Sequence, residues 1–304
     1  MGRGVDVVDA KSGSQYPPFP SNAGDSGFGF GESMIKSPLR YPGGKSRAVK
    51  IIENHIPRFK EFREPFVGGG SVFFYVRQKF PNGTFWINDL FEDLYLFYKH
   101  MQTNPRVILK KVRRYKNKFG DGKELFDRLA NTRKFDETDR AAAFFVLNRI
   151  TFSGTTRSGG YSKQAFEKRF TESSIQRLEK IVPLLRDVKI TNGDYAPLLR
   201  TDGEEVFIFL DPPYFKAQRS ALYGKNGNLH KGFDYERLAR ALKETKHKWL
   251  MTIDNSEYIK ALFDFAYIKE WNVTYGMRNT AEKSERLETE LLIANYPLAS
   301  DAKE

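Results

Sequence analysis

Short apolar runs alternate with amphipathic stretches along most of the chain, and this alternation predicts both strands and helices. The apolar, turn-bounded runs typical of strands are residues 61–67, 84–88, 187–192, 205–210 and 248–253, with further strand-like runs at 265–275 and 289–296. The stretches with helical character between them are residues 71–80, 92–101 and 234–246. Strands that alternate with helices predict an α/β fold with a mostly parallel, doubly wound sheet.

The rhythm changes in the middle of the chain, where a basic and mostly helical segment is broken by the polar loop TFSGTTRSGGYS at 151–162. A Gly-, Ser- and Pro-rich stretch at the N-terminus is typical of a flexible tail. The predicted parts are a tail at 1–33, an α/β domain formed by 34–102 and 187–297, an insertion at 103–186 and a C-terminal tail at 298–304.

Charge is concentrated in the insertion. Residues 101–190 contain 21 Lys and Arg against 10 Asp and Glu, a net charge of +11 in a chain whose total is +12. A basic segment between nearly neutral ones indicates a face that binds a polyanion. A solvated, helix-rich surface explains the same charge equally well.

Composition excludes several kinds of site. The chain has no cysteine, so it forms no disulfide, thiolate metal site or cysteine nucleophile. Its four histidines are scattered, and we predict no metal site. No apolar run approaches the ~18 residues of a membrane span, and the N-terminus lacks the apolar core of a secretory signal. We therefore expect no membrane association and a cytoplasmic location.

The run Gly44-Lys45-Ser46 has the ending of a phosphate-binding P-loop, but the context does not fit. A P-loop needs an earlier glycine at the position of Leu39, directly after a hydrophobic strand. The residues before it, 35–38, are too short and too interrupted by proline to form a central strand. Lys45 must therefore serve another purpose.

The run EPFVGGGS at 64–71 has the pattern of a strand, a glycine turn and a helix, where the backbone can approach a ligand closely. Asp89 follows the next strand, at the position where a carboxylate often holds ribose hydroxyls. Together they favour an adenosine-containing cofactor, although the glycines alone could form an ordinary turn. Asp194 follows the third strand and could bind an adenine amine or simply close a Gly-Asp turn.

The run Asp211-Pro212-Pro213-Tyr214 directly follows the apolar strand VFIFL. The two prolines remove two backbone donors and stiffen the loop, leaving a carboxylate and a carbonyl as acceptors beside an aromatic ring. Two acceptors and a ring suit a flat heterocycle with an exocyclic amine, whereas a strand-ending turn is the plainer interpretation.

These motifs occur in an order that resembles one known family. The segments are YPGGK (41–45), EPFVGGGS (64–71), LNR with FSG (147–154) and DPPY (211–214), with Asp89 and Asp194 at strand ends. The chain resembles Dam-like DNA adenine-N6 methyltransferases of the D12 class over about residues 34–297. The resemblance implies a Rossmann-like S-adenosylmethionine-dependent methyltransferase sheet with an inserted, mainly helical target-recognition domain. It also implies S-adenosylmethionine as cofactor and double-stranded DNA as partner.

The resemblance also implies roles for individual residues. Tyr41 stands where the family often has Trp, and Gly69 stands where it often has Ala. The expected cofactor-binding residues are Tyr41, Lys45, Phe66, Gly68, Gly70, Asp89, Asp194 and Asp211. The expected catalytic residues, which hold the target adenine after it is flipped out of the duplex, are Asp211, Pro212 and Tyr214.

DNA contacts are expected from the insertion. Candidates for phosphate contacts are Lys110, Lys111, Arg113, Arg114, Lys116 and Lys118. Base readout is expected from the loop between Arg149 and Tyr161, where Arg157 could pair with guanine. Asn148 and Arg149 could instead support that loop structurally. The sequence specifies neither the recognition site, nor a restriction endonuclease partner, nor an oligomeric state.

Three alternatives remain open from the residues alone. A cytosine-N4 methyltransferase uses the same chemistry, although an SPPW-type motif is commoner there. A dinucleotide-dependent oxidoreductase would use the glycine turn but has no need of the DPPY motif or the basic insertion. A non-catalytic DNA-binding protein would not require an intact Asp211 and Tyr214.

Overall fold

The computed structural model describes residues 34–41, 44–46, 48–132, 134–215, 232–274 and 287–299. All of them belong to one compact unit, Ser33–Glu304. The predicted N-terminal tail at 1–33 lies outside the described residues, as does most of the predicted C-terminal tail.

A seven-stranded sheet forms the centre of the protein. Its strands are β1 (Glu61–Glu64), β2 (Thr84–Asp89), β3 (Lys189–Asn192), β4 (Val206–Leu210), β5 (Lys248–Asp254), β6 (Tyr267–Thr274) and β7 (Leu287–Ala294). The order across the sheet is β3-β2-β1-β4-β5-β7-β6, with the first five strands parallel and β7 antiparallel to both neighbours. The predicted Rossmann-like α/β sheet is confirmed.

The helices account for the remaining predicted elements. They are α1 (Val49–Glu53), α2 (Ser71–Lys79), α3 (Glu92–Thr103), α4 (Pro105–Lys118), α5 (Gly122–Asn131), α6 (Glu137–Ile150), α7 (Lys163–Arg169), α8 (Glu172–Ile181), α9 (Ala196–Arg200), α10 (Tyr235–Glu244) and α11 (Glu257–Leu262). Strand β1 is shorter than predicted and ends at Glu64, because Pro65, which has no N–H to donate, begins the glycine turn.

The inserted segment consists of helices α4 to α8, and its centre is α6. Every residue of α6 from Ala141 to Ile150 is buried. A helix that is apolar on all sides must be surrounded by other elements, and α6 packs against α3, α4, α5 and α7. Phe145 of α6 stacks on Phe97 of α3, with ring centroids 6.0 Å apart and planes at 10°. The insertion therefore shares one hydrophobic core with one face of the sheet.

The other face of the sheet is covered by α9, α10 and α11. Side chains of β4 and β5 such as Ile208 and Trp249 pack there with Leu238 and Phe263. Because both faces are covered, β4 is buried along its whole length. Only the ends of the strands are left for polar chemistry.

Candidate functional site

Four carboxylates gather at one edge of the sheet. Glu64 and Asp89 end β1 and β2, Asp211 follows β4, and Asp254 ends β5. Parallel neighbours bring their carboxyl ends to the same edge, which is where ligands of such sheets bind. The strand order thus gathers acidic groups that lie far apart in the sequence.

The glycine turn after β1 is closely packed against aromatic side chains. Gly68 and Gly70 have positive φ angles of 46° and 68°, which side-chain-bearing residues rarely adopt. A Cβ on Gly68 would lie 2.9 Å from the ring of Tyr41, and one on Gly70 would lie 2.8 Å from the Tyr98 hydroxyl. Tyr41 also lies over Gly69. The predicted residues Tyr41, Gly68 and Gly70 are therefore brought together.

Asp89 orients the same turn from the neighbouring strand. Its two carboxylate oxygens accept hydrogen bonds from the backbone N–H groups of Gly68 and Phe91, each at 2.9 Å. Burial among apolar atoms raises the pKa of Asp89 to about 6, although these backbone donors act in the opposite direction. The carboxylate is thus fixed beside the glycine turn at the carboxyl end of β2.

Glu64 is a functional candidate that the sequence interpretation missed. It is 2% exposed, and its Oε2 has no hydrogen-bond partner among the described residues. Burial and the nearby Asp211 and Asp89 raise the pKa of Glu64 well above its usual value, against a backbone hydrogen bond from Phe73. The sequence signal that could have identified Glu64 is its position directly before the Pro-Phe pair that begins the glycine turn.

Lys45 enters this edge from the segment before α1. Its Nζ lies 2.8 and 3.0 Å from the two carboxylate oxygens of Asp211 and 2.6 Å from the hydroxyl of Tyr214. It also lies 4.9 Å from the centroid of the Tyr214 ring, and Lys45 is only 3% exposed. The predicted cofactor residue Lys45 thus directly contacts two of the predicted catalytic residues.

The DPPY loop is held from two sides. The hydroxyl of Thr252 on β5 donates to Asp211 at 2.9 Å, and the hydroxyl of Tyr235 at the start of α10 donates to the Pro213 carbonyl at 2.7 Å. Pro212 lies between these two anchored residues, so its carbonyl is held in a rigid part of the loop. Such rigid support is what a site needs to hold a substrate amine in one geometry.

Glu290 on the antiparallel strand β7 completes the polar cluster, and the sequence interpretation missed it as well. Its Oε1 accepts a hydrogen bond from the Tyr214 hydroxyl at 2.8 Å, and the residue is 1% exposed. Burial raises the pKa of Glu290 to about 7; Lys45 lowers it and Asp211 raises it. A glutamate in the last predicted strand gave no local signal of this contact.

Asp194 closes the turn before α9 and forms an ion pair. It accepts from the Ala196 N–H at 2.8 Å and from both terminal nitrogens of Arg237, at 2.7 and 2.8 Å. This pairing lowers the pKa of Asp194. Beside it, Phe66 contacts the ring of Tyr195 with centroids 5.4 Å apart. The predicted Phe66 and Asp194 therefore belong to one cluster of aromatic and charged side chains.

Comparison with known proteins assigns this arrangement to a family. The family model for the D12 class N6 adenine-specific DNA methyltransferases matches residues 41–277. The chain belongs to this family. The predicted adenine-N6 DNA methyltransferase activity is confirmed, and the cytosine-N4, oxidoreductase and non-catalytic alternatives lose their support.

Individual relatives agree with the family assignment. The methyltransferase is 26% identical to "Type II methyltransferase M.MjaIII" of Methanocaldococcus jannaschii, over 86% of this chain and 99% of that protein. It is 26% identical to "Type II methyltransferase M.CviBI" of Paramecium bursaria Chlorella virus NC1A, over 86% and 100%. It is 28% identical to a "DNA adenine methylase" of Vibrio cholerae, over 62% and 70%. Among solved structures, a precorrin-6y C5,15-methyltransferase of Geobacter metallireducens matches 82% of this chain and 85% of that one, with 9% identity and a TM-score of only 0.32.

Asn148 and Arg149 of the methyltransferase are buried supports. Asn148 accepts from the Arg40 N–H at 2.9 Å and donates to the carbonyls of Arg40 and Gly154 at 2.7 and 2.9 Å. Arg149 donates to the carbonyls of Arg169 and Pro38 and is 6% exposed. Burial lowers the pKa of Arg149 to about 9. The expected DNA contact from Arg149 is therefore corrected, because its guanidinium is enclosed and satisfies backbone carbonyls.

Three of the predicted phosphate contacts, Lys111, Arg113 and Lys116, are already engaged within the protein. Arg113 lies 2.6 Å from Glu179 and 3.6 Å from Glu172. Lys116 donates to the Phe170 carbonyl at 2.9 Å. Arg157 belongs to the short 3-10 helix Thr156–Ser158 within the predicted recognition loop.

Other cations of the insertion line a surface groove between α4, α5 and α6. The groove has a volume of about 550 Å³. Its basic lining residues are Lys110, Lys111, Arg114, Lys118 and Arg128. Lys111 pairs with Asp139, whereas the other four have no carboxylate partner among the described residues. We call this surface the basic groove; its positive charge is largely uncompensated by the protein.

Two further observations concern the described residues alone. None of their helices is both long enough and apolar enough to cross a membrane. Their His, Asp and Glu side chains form no group of three or more that could hold a metal ion.

Removing the Asn148 clamp should destabilise the protein. Asn148→Ala leaves the buried backbone groups of Arg40 and Gly154 without their partner, and the free energy of unfolding should fall by about 2–3 kcal/mol in urea denaturation. Asn131→Ala, at an exposed position, should change it by less than about 0.5 kcal/mol. Equal stability of the two variants would show that the clamp contributes nothing.

Proposed function

We propose that the enzyme transfers a methyl group from S-adenosylmethionine to the N6 of an adenine flipped out of double-stranded DNA. The observation that carries this proposal is the contact of Lys45 with Asp211 and Tyr214, beside the glycine turn. The "DNA adenine methylase" relative supports adenine in DNA as the substrate.

The site fits a ligand of this shape and charge. S-adenosylmethionine carries a sulfonium and an ammonium group, and the strand ends offer Glu64, Asp89 and Asp211 as carboxylates. The buried Oε2 of Glu64 lacks a partner among the described residues, so an ammonium group there would compensate it. The tight turn at Gly68 and Gly70 supports close approach of a ligand to the backbone.

We assign the parts of the cofactor as follows. Asp89 accepts from the ribose hydroxyls, and Asp194 accepts from the adenine amine. Phe66 packs against the cofactor, and Tyr41 supports the glycine turn below it. Lys45 acts from the other side of the cofactor site, by holding Asp211 and Tyr214 in place.

The chemistry at the target base follows from two acceptors and a ring. The lone pair of an adenine amine is delocalised into the ring, so the amine is a weak nucleophile. Asp211 and the Pro212 carbonyl accept its two hydrogens, which favours a tetrahedral nitrogen whose lone pair points outward. The cofactor supplies an electrophilic methyl group on a sulfonium. Positioning and pre-oriented acceptors then lower the barrier.

Tyr214 stabilises the flipped base. Extracting a base from the duplex costs a few kcal/mol, and stacking on an aromatic ring offsets about 1–3 kcal/mol of it. The ring of Tyr214 is fixed by its hydroxyl, which contacts Lys45 and Glu290. A fixed ring loses little entropy when the base arrives.

The basic groove is proposed to contact the DNA backbone. Its uncompensated cations Lys110, Arg114 and Lys118 suit phosphates, whereas Arg113 and Lys116 are weaker candidates because the protein already engages them. Arg157 stays the candidate for base readout because of its loop.

Replacing Asp211 should remove catalysis but not DNA binding. In Asp211→Ala, transfer of tritium from labelled S-adenosylmethionine to N6-methyladenine should fall by at least about a hundredfold, because the amine loses its acceptor. The DNA dissociation constant should stay unchanged. Asp202→Ala removes an exposed carboxylate on the same chain and should retain full activity. Full transfer by Asp211→Ala would refute the assigned role.

Cofactor affinity should depend on pH through Asp89. The ionised carboxylate is the better acceptor for ribose hydroxyls, so affinity should rise as pH increases through the pKa of about 6. Asp89→Asn should weaken binding by about tenfold and flatten this pH dependence, as measured by titration calorimetry. Asp264→Asn, at an exposed position, serves as the control. A pH-dependent affinity that survives in Asp89→Asn would exclude this role.

The salt dependence of DNA binding should distinguish an arginine that lines the basic groove from one that is buried. Arg114→Ala should reduce the slope of log K against log salt by about one, because one phosphate contact is lost. Arg149→Met should leave the slope unchanged, since Arg149 is buried. The reverse pattern would assign the phosphate contact to Arg149.

A further inference from the structure

Methylation of an amine leaves one proton to be removed. When the nitrogen forms its bond to carbon, it becomes cationic and still carries both hydrogens. Asp211 is the nearest carboxylate in the proposed complex, but the Lys45 ammonium lies 2.8 Å from it. Both Asp211 oxygens already accept hydrogen bonds from this ammonium, and one also accepts from the Thr252 hydroxyl, so Asp211 suits the binding of the amine better than the retention of its proton.

A continuous line of polar atoms leads inward from Asp211. Lys45 Nζ lies 2.8 Å from Asp211 and 2.6 Å from the Tyr214 hydroxyl, which in turn lies 2.8 Å from Oε1 of Glu290. Each of these distances permits proton transfer along a hydrogen bond. The line ends at Glu290, to which the proposed function gives only one other task, that of fixing the Tyr214 hydroxyl.

We propose that Glu290 is the final proton acceptor of the methylation reaction, reached from Asp211 through Lys45 and Tyr214. This inference rests on the proposed role of Asp211 at the target amine. Glu290 touches neither the base nor the cofactor, so it acts through the residues that do.

The transfer balances in atoms and charge. The bond between sulfur and the methyl carbon breaks as the N6 lone pair forms the new bond, and the sulfonium becomes a neutral thioether. One N–H bond of the cationic amine then breaks, and its proton moves to Asp211. Tyr214 gives its hydroxyl proton to Glu290 and takes one from Lys45, which takes the proton held by Asp211. Only Glu290 ends with an added proton.

The surroundings of Glu290 allow its carboxylate both to take up a proton and to release it. Lys45 and the hydroxyl of Tyr214 face Glu290 and favour its ionised form. Asp211 and Asp254 also face it and disfavour the ionised form. Together with burial they bring its pKa to about 7, so it can accept a proton near neutral pH and lose it again.

The proton has a way out once the product has left. The Asp211 side chain is 23% exposed in this structure, whereas Glu290 is 1% exposed. Water therefore reaches the outer end of the line, and the proton can return along it.

We call the path from Asp211 through Lys45 and Tyr214 to Glu290 the relay. Glu290→Gln tests it, because glutamine keeps an acceptor for the Tyr214 hydroxyl but cannot take a proton. Single-turnover methylation of duplex DNA should be at least about tenfold slower than in the wild type. The wild-type rate should rise with pH and level off above about 7, because the relay needs an ionised Glu290. With cofactor saturating at every pH, which removes the affinity change due to Asp89, the Glu290→Gln rate should be flat over the same range. The dissociation constants for DNA and cofactor should equal those of the wild type at each pH.

Tyr214→Phe interrupts the line but keeps the ring and leaves Glu290 in place. It should reproduce the slow, flat profile, and it decides the question if Glu290→Gln does not fold. Glu270→Gln, at a partly exposed position on the neighbouring strand β6, should match the wild type. A wild-type rate, or a retained pH dependence, in both Glu290→Gln and Tyr214→Phe would overturn the relay.

A second measurement does not depend on turnover. Infrared difference spectra of the enzyme without substrate, recorded across this pH range, should contain a buried carboxylic acid band from Glu290, beside those of Asp89 and Glu64, that is lost in Glu290→Gln and persists in Glu270→Gln. A Glu290→Gln spectrum identical to that of the wild type would refute a titrating Glu290. The wild-type methylation rate tests the proposed function, whereas only the comparison among variants tests the relay.

Discussion

The ion pair between Lys45 and Asp211 is the contact on which the active site depends. A parallel sheet brings several carboxylates to one edge, and their mutual repulsion would raise the free energy of the fold if they stayed uncompensated. Lys45 supplies a buried positive charge within 3.0 Å of both Asp211 oxygens. The same ammonium fixes the Tyr214 hydroxyl, so one charge both stabilises this group of carboxylates and orients the DPPY loop.

The insertion is part of the same folded unit as the sheet. Helix α6 is buried on all sides, and its phenylalanines share a core with α3. Asn148 at the end of this helix holds the backbone of Arg40, only five residues before Lys45. The insertion is therefore hydrogen-bonded to the segment that precedes Lys45.

The cations of the insertion differ in what they can do, although they look alike in the sequence. Arg113 and Lys111 form ion pairs within the protein, and Arg149 is enclosed. Lys110 and Arg114 instead line the basic groove. The 21 basic residues of 101–190 thus overstate the number of cations that DNA would meet.

The sequence by itself determined the sheet, the glycine turn, the strand-end position of Asp89 and the DPPY loop, because each depends on a local pattern of apolar runs, glycines and prolines. It also carried the order of motifs that identifies the family. Only the tertiary structure decided which distant groups meet. Lys45 and Asp211 are 166 residues apart, Tyr214 and Glu290 are 76 apart, and the burial of Arg149 depends on carbonyls from two other segments. Such contacts follow from strand order and helix packing, which no local pattern encodes.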